Sequence, residues 1–201
     1  SSSAASDVYK RQIFSQRTQT LSAGDIFNTG GWMGTQGSWS ATGGQFVNRD
    51  GSVQSQQDAS LRATTLNNRQ GTLISGADLT LNVSQDTDNR AGKISALGQL
   101  ALQGQTAGAA AGILNNGAGQ LLAGKGLTVA AQAIHNGEDG AISAARQLQL
   151  DVKNALDNRQ GHLESGSGMT LAAGSLHNQS GSVSSLQQLA VNLNAGLDLS
   201  L

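Results

Sequence analysis

The sequence lacks cysteine and proline, and it has few aromatic residues and few charges. Among its 201 residues, 3% are aromatic and 12% are charged, and the formal net charge is −1. Without Cys the chain has neither a disulfide framework nor a thiolate metal site. A nucleic-acid partner would favour a basic surface, so the charge balance argues against one. No apolar run reaches the roughly 18 residues that a membrane-spanning helix needs.

One sequence motif recurs along the chain: an Asn, a Gly three residues later, and a hydrophobic residue two positions after that Gly. The glycines lie at positions 51, 71, 92, 119, 140, 161 and 181, so the period is 20 or 21 residues with one interval of 27. In one copy an extra residue precedes the Gly. The seven asparagines form the asparagine column: Asn48, Asn68, Asn89, Asn116, Asn136, Asn158 and Asn178.

Each copy continues with hydrophobic residues at alternate positions, as in Leu79, Leu81 and Val83. Alternation with period two predicts a strand with one buried face. A further aliphatic residue precedes the next Asn, so each unit is interpreted as strand, turn, strand, turn. A unit of this size cannot enclose a core alone, but stacked units can. We therefore predict an all-β fold, a parallel β-helix of about eight coils between Gln45 and Leu201.

The repeated Asn and Gly are interpreted as structural residues. An Asn side chain both donates and accepts hydrogen bonds, so stacked asparagines can form an amide ladder from coil to coil. The Gly is expected to provide a positive φ at a corner where a Cβ would clash.

Outside the clear repeats, three segments are assigned by composition. Residues 1–12 are predicted to be a non-native or disordered leader. Residues 13–45 are rich in Gly and contain Trp32 and Trp39, which predicts a degenerate coil or a cap on the open end of the core, with sugar binding by an exposed Trp as the alternative. Residues 46–201 hold the repeats, with a loop insertion near 104–112.

Two sets of side chains are candidates for binding. Arg49, Arg69 and Arg90 follow the column Asn in three successive copies, and such a row could hold sulfate or carboxylate groups of a glycan. The alternative is a solvated corner.

His135, Asp157 and His177 precede the column Asn in three successive copies and are candidate metal ligands. The alternative is a water-facing turn, since metal sites need three or four convergent ligands. The acidic residues are scattered over different repeat positions. The sequence therefore predicts no catalytic residues, no enzyme activity and no cofactor.

Several segments resemble the haemagglutinin repeats of filamentous haemagglutinin and related two-partner-secretion exoproteins. The segments that carry the resemblance are Leu66-Asn67-Asn68-Arg69-Gln70-Gly71, Leu156-Asp157-Asn158-Arg159-Gln160-Gly161 and Ser75-Gly76-Ala77-Asp78-Leu79-Thr80-Leu81. The resemblance implies a right-handed β-helical shaft that is secreted through an outer-membrane partner and displayed on the bacterial surface.

On this basis the expected function is structural. The chain would be the shaft of an adhesin that projects distal domains toward a receptor or glycan on another cell. The alternative is the shaft of a contact-dependent inhibition protein that delivers a toxin, and a third hypothesis is a polysaccharide-processing β-helix enzyme. The sequence shows neither an Asn-Pro-Asn-Leu secretion motif nor a Val-Glu-Asn-Asn toxin boundary.

Overall fold

The computed structural model describes residues 12–106 and 108–200, and every regular element in these ranges is a β-strand. The leader predicted for residues 1–12 lies outside the described residues except for Gln12. The strands are β1 (Gln12–Ser15), β2 (Gln19–Ser22), β3 (Ile26–Phe27), β4 (Trp32–Thr35), β5 (Trp39–Thr42), β6 (Gln45–Val47), β7 (Ser52–Ser55), β8 (Ala59–Ala63), β9 (Thr65–Asn67), β10 (Thr72–Ser75), β11 (Leu79–Val83), β12 (Thr87–Asp88), β13 (Lys93–Ala96), β14 (Leu100–Gln103), β15 (Ala111–Asn115), β16 (Gln120–Ala123), β17 (Leu127–His135), β18 (Ala141–Ala144), β19 (Leu148–Val152), β20 (Ala155–Asp157), β21 (His162–Ser165), β22 (Met169–Ala173), β23 (Ser175–His177), β24 (Ser182–Ser185), β25 (Leu189–Leu193) and β26 (Leu197–Asp198).

These strands wind into nine coils with three faces. The first face is a nine-stranded sheet, β1-β4-β7-β10-β13-β16-β18-β21-β24, in which each strand pairs in parallel with the equivalent strand one coil away. The second strands of the coils pair in the same way, and so do the third strands. With a spacing of about 4.8 Å between coils, the nine coils form a rod about 40 Å long. The predicted parallel β-helix is confirmed.

The third strand of each coil is the main difference from the sequence-based expectation of two strands. In β9 only Leu66 points inward, and it is buried between the less buried Thr65 and Asn67. A strand with one inward residue shows no alternation, so sequence periodicity cannot reveal it. The parallel pairing of β9 with β6 and β12 reveals this third strand.

The core consists of columns of aliphatic residues that lie directly above one another. One column runs along the second face, where Leu81 pairs in register with Leu61 and Leu102, and all three are at most 1% exposed. Full burial of such a side chain contributes on the order of 1.5–3 kcal/mol. Val191 belongs to the same column but lies in the last described coil, where it is 40% exposed.

The six extra residues of the long repeat form a loop on the outside of the fifth coil. The chain leaves β14 after Gln103 and returns at Ala111 in β15. Gln105 donates from Nε2 to the carbonyl of Ala63 at 2.7 Å, and Arg62 donates from Nη1 to the carbonyl of Gln105 at 2.9 Å. The loop is therefore anchored to the third coil.

Residues 12–47 form the first two coils, with the same three faces as the coils that follow. Trp39 lies in the core of the second coil, 1% exposed, with its ring edge-on to Phe46 at 5.6 Å. Trp32 lies on the outer surface, where it stacks on Phe14 at 5.9 Å. Gly34 leaves room for this indole, because a Cβ there would overlap the ring.

Among the described residues no helix is long and apolar enough to span a bilayer.

Candidate functional site

The asparagine column is a continuous hydrogen-bonded ladder inside the rod. Each Asn except Asn178 donates from Nδ2 to the Oδ1 of the Asn in the next coil, and the six bonds measure 2.6–2.8 Å. Nδ2 of Asn48 also faces the carbonyls of Gly51 and Thr72 at 3.4 and 3.0 Å. Six of the seven asparagines are 0% exposed, and only Asn178 is half-buried. Because these buried amides have all their hydrogen-bond partners, they stabilise the register between coils.

Asn28 extends the ladder by one coil and was missed by the sequence analysis. It donates from Nδ2 to Oδ1 of Asn48 at 2.7 Å. The signal was present in the sequence, because Gly31 and Met33 follow Asn28 at the same spacings as in the other copies.

The glycine of the repeat is required because atoms of the neighbouring coil approach it closely. The expectation of a positive φ at this glycine was wrong. The positive φ lies one residue earlier, as at Gln70 with φ 56° and Ala118 with φ 53°. A Cβ on Gly119 would overlap the main-chain carbonyl of Asn89 and lie 2.7 Å from Oδ1 of Asn116. The ladder brings these atoms so close to the turn that only a residue without a side chain fits.

The arginine row lies on the surface, one residue after the ladder. The amide of Asp50 donates to the carbonyl of Arg69 at 3.1 Å, and the amide of Gln70 donates to the carbonyl of Arg90 at 3.0 Å. The three arginines therefore occupy equivalent positions in successive coils. Arg49 pairs with Asp50 at 3.4 Å. Arg90 binds Asp88 through Nε and Nη2 at 2.9 and 2.6 Å. Much of the positive charge of the row is therefore neutralised.

The same two-atom pair recurs between Arg159 and Asp157, at 2.9 and 2.6 Å. The Arg159 hydrogen bond is the main cause that holds the pKa of Asp157 below its ordinary value of 3.8, partly opposed by burial of the carboxylate. Arg90 lowers the pKa of Asp88 in the same way. Each pair fixes a guanidinium in one orientation at the surface.

His135, Asp157 and His177 lie in register on three successive coils, as the repeat spacing predicts. Both carboxylate oxygens of Asp157, however, accept hydrogen bonds from Arg159. In the part of the chain that the structure describes, no group of three His, Cys, Asp or Glu side chains is placed to hold a metal ion. The geometry therefore gives these residues the role of a polar surface row, with Asp157 committed to its arginine.

A concavity in the described surface lies where this row meets the line of arginines. Gly117 and Gly137 occupy the two positions between Arg90 and Arg159 on successive coils, so these two positions carry no side chain, and the carboxylate of Glu138 lies beside Gly117. The resulting glycine cleft has a volume of about 450 Å³, and His135 contributes to its lining. Crowding does not require Gly117, since the nearest atom to an added Cβ would lie at 3.5 Å, whereas a Cβ on Gly137 would make a tight contact of 3.2 Å with the carbonyl of Arg159.

The chemistry of the glycine cleft is that of a polar hydrogen-bonding site. Arg90 and Arg159 carry their own carboxylates, and Glu138 lies close enough to Arg90 to raise its pKa further. Donors and acceptors are therefore balanced in charge, which suits a neutral, hydroxyl-rich ligand better than a sulfate or carboxylate group. Anion binding by the arginine row stays a prediction.

A parallel stack of nine coils around aliphatic columns and an amide ladder defines the class of this protein as a β-solenoid. The haemagglutinin repeat family matches residues 11–50, 38–104, 105–160 and 143–200, which together span almost the whole chain. The chain belongs to the haemagglutinin-repeat family. Neither the curated proteins nor the solved structures gave a match.

Membership in this family agrees with a structural shaft. Haemagglutinin repeats are a structural and adhesive family rather than an enzymatic one, and they are typical of secreted or surface-exposed exoproteins.

Proposed function

We propose that this chain is a shaft segment of a secreted, surface-displayed bacterial adhesin, which mediates cell adhesion by holding distal domains away from the cell. The observation that carries the proposal is the unbroken register of nine coils along one axis. The asparagine ladder and the aliphatic columns both run along that axis, so neighbouring coils are cross-linked by side chains as well as by the main chain. A rod built in this way resists bending and can be lengthened one coil at a time.

Two partners are part of this proposal. An outer-membrane secretion partner would export the chain unfolded, and the absence of Cys supports such a route because no disulfide can form before export. A receptor or glycan on a host or bacterial cell would be bound by the distal domains.

The test changes the length of the shaft by duplicating part of it. A second copy of residues 116–177 adds three whole coils, and the chain is displayed on a bacterial surface with an antigen-binding domain fused after residue 201. The expected rod is longer by about 14 Å. We expect capture of antigen-coated particles to increase when a surface polysaccharide layer hinders access, because the binding domain projects further. Small-angle scattering of the purified chain measures the length.

The matched control is a second copy of residues 116–167, which ends within a coil and breaks the register. This variant should lose the cooperative unfolding transition. If the in-register duplication lengthens the rod but leaves capture unchanged across polysaccharide layers of different thickness, the chain does not act as a spacer.

A further inference from the structure

The two Asn-Gly pairs of the sequence both lie in the asparagine column. They are Asn116-Gly117 and Asn136-Gly137, on successive coils, whereas every other column asparagine is followed by Arg or Gln. Asparagine is a chemically labile residue, and it loses ammonia most readily before glycine, because glycine has no Cβ to hinder its own main-chain nitrogen. The two pairs therefore carry a reactivity that the Asn-Arg copies of the repeat largely lack.

Nothing in the fold requires a glycine after Asn116. A Cβ on Gly117 would lie no closer than 3.5 Å to any atom, and neither Gly117 nor Gly137 has a positive φ. In the Asn-Arg copies, the amides of Arg90 and Arg159 each donate to a carboxylate at 3.1 Å. Within the described chain, the amides of the two glycines donate to no group. Their nitrogens are thus both unhindered and without a hydrogen-bond partner.

Deamidation of Asn116 needs no reactant except water. The main-chain nitrogen of Gly117 attacks Cγ of Asn116, so that an N–Cγ bond forms and the Cγ–Nδ2 bond breaks. Ammonia leaves with the proton of the Gly117 amide, and the product is a cyclic succinimide. Water then opens the ring. Opening at the side-chain carbonyl gives aspartate, and opening at the main-chain carbonyl gives isoaspartate, in which the main chain runs through the former side chain.

The wound coil prevents this reaction. Nδ2 of Asn116 donates to Oδ1 of Asn136 at 2.7 Å. It also faces the carbonyls of Gly119 and Ala141, both at 3.2 Å. The side chains of both asparagines are 0% exposed. Cγ of Asn116 therefore cannot turn toward the nitrogen of Gly117 unless these bonds break, and the coil must open before the reaction can occur.

A carboxylate at either position cannot rebuild the ladder. The three atoms that Nδ2 of Asn116 faces are all oxygens, and so are the three that Nδ2 of Asn136 faces. Replacing Nδ2 by a carboxylate oxygen removes the donor and places a buried negative charge against these acceptors. Isoaspartate also adds a methylene group to the main chain, which shifts the register of the coil.

We propose that Asn116 and Asn136 are deamidation sites of the unfolded chain, so that a chain that winds slowly loses its ability to form the rod. Winding protects both sites by burying them in the ladder. They lie between Asn89 and Asn158, so a modified residue interrupts the ladder in its interior and not at an end. This inference does not rest on the proposed shaft function.

The test incubates the whole chain in guanidinium chloride and in native buffer at the same mildly alkaline pH. Peptide mapping measures aspartate and isoaspartate at each column position. In denaturant we expect positions 116 and 136 to deamidate several times faster than Asn68, Asn89 and Asn158. In native buffer the same two positions should react more slowly by about tenfold or more, because the coil must open first. After dilution from denaturant, the yield of refolded rod should fall in step with the product.

Gly117→Gln/Gly137→Gln is the matched variant, because it keeps both asparagines and removes both Asn-Gly pairs. It should deamidate slowly in denaturant and keep its refolding yield. If the double variant does not refold before incubation, Gly117→Gln replaces it, with protection expected at position 116 alone. Asn116→Asp reproduces one product directly and should not form a cooperatively unfolding rod. Asn115→Asp is its control and should fold, since Asp88 occupies the equivalent position one coil earlier.

The proposal is overturned if positions 116 and 136 deamidate in denaturant no faster than the Asn-Arg positions, or equally fast in native buffer. It is also overturned if the refolding yield of the wild type stays constant while the product accumulates. Loss of yield by the glutamine variant as quickly as by the wild type, or an Asn116→Asp chain as stable as the wild type, would contradict it as well.

Discussion

The asparagine column and the arginine row are one residue apart in every copy that has both, yet they have different roles. Asn68 is buried and hydrogen-bonded to both neighbouring coils, whereas Arg69 is exposed. Both recur in successive copies at the period of the repeat, the Asn in all seven copies and the Arg in four of them. The comparison shows that repetition indicates stacking and does not by itself distinguish a structural column from a binding surface. Burial and partners make that distinction.

The largest effect is expected from a break in the ladder. Asn116→Ala leaves Oδ1 of Asn136 without its donor and removes the nearest of the three acceptors that face Nδ2 of Asn89, and both of these asparagines are buried. The unsatisfied acceptor and the four side-chain hydrogen bonds that are lost should together lower the free energy of unfolding by about 4 kcal/mol. Urea denaturation measures this change. Asn115→Ala is the control, because Asn115 is only half-buried and no ladder bond involves it; an equal loss in both variants would contradict a special role for the ladder.

A methyl group on the turn glycine should have the next largest effect. Gly119→Ala forces a Cβ against the carbonyl of Asn89, so the coils must separate locally. We expect a loss of about 3 kcal/mol in the free energy of unfolding. Gly117→Ala, two residues earlier, places its Cβ no closer than 3.5 Å to any atom and should leave stability unchanged. Similar melting temperatures for the two variants would show that the crowding at Gly119 is not real.

Relief of backbone strain should give a smaller effect of opposite sign. Ala118 has a φ of 53°, a conformation that costs an L-residue energy and glycine almost none. Ala118→Gly should therefore raise the free energy of unfolding by about 0.5–1 kcal/mol. Ala145→Gly is the control, since Ala145 is exposed and has no positive φ, and it should lower stability. Thermal unfolding of both variants should give shifts of opposite sign.

The smallest effect concerns the arginine row and its dependence on pH. The pKa of Asp88 is lowered in the folded state, mainly by Arg90, so this pair stabilises the fold above the ordinary pKa of 3.8 and loses its contribution as the pH falls through the folded pKa. Arg90→Gln should reduce stability slightly near neutral pH, and the difference from the wild type should disappear in acid. The effect should also weaken with salt, since the pair is half exposed.

Arg69→Gln is the matched control, because Arg69 forms no ion pair within the described residues and only weakly affects Asp88. Its stability should depend on pH as that of the wild type does. An Arg90→Gln difference that persists unchanged in acid, after Asp88 has been protonated in the folded state, would contradict this assignment.

Much of the fold followed from the sequence because the repeat is short and regular. The alternation of Leu79, Leu81 and Val83 predicts the second strand, and the spacing of the glycines predicts the coil length. The third strand was not predicted, since a strand with only Leu66 pointing inward has no periodicity. The position of the positive φ was also missed, because Asp50, Gln70, Ala91 and Ala118 share no residue type that favours it.

Less of the candidate sites could be predicted. The sequence showed that the arginine and histidine residues recur at equivalent positions of successive copies. The ion pairs of Arg90 and Arg159 with their carboxylates, however, depend on side-chain geometry. The surface also opens beside Gly126, next to Lys125 and Arg146, and these two cations occur in only two copies, so no repeated pattern marks this opening. Sites that arise from departures from a repeat are invisible to a search for the repeat.

By itself the sequence determined that the chain stacks coils with an asparagine, a glycine and aliphatic residues at fixed positions, because those spacings have one low-energy arrangement. The tertiary structure alone decided which polar columns are buried, which charges are neutralised and where the surface opens. Those properties depend on distances between side chains that are about 20 residues apart in sequence and about 4.8 Å apart in space. These distances are set by how the chain winds into coils and not by the order of the residues along the chain.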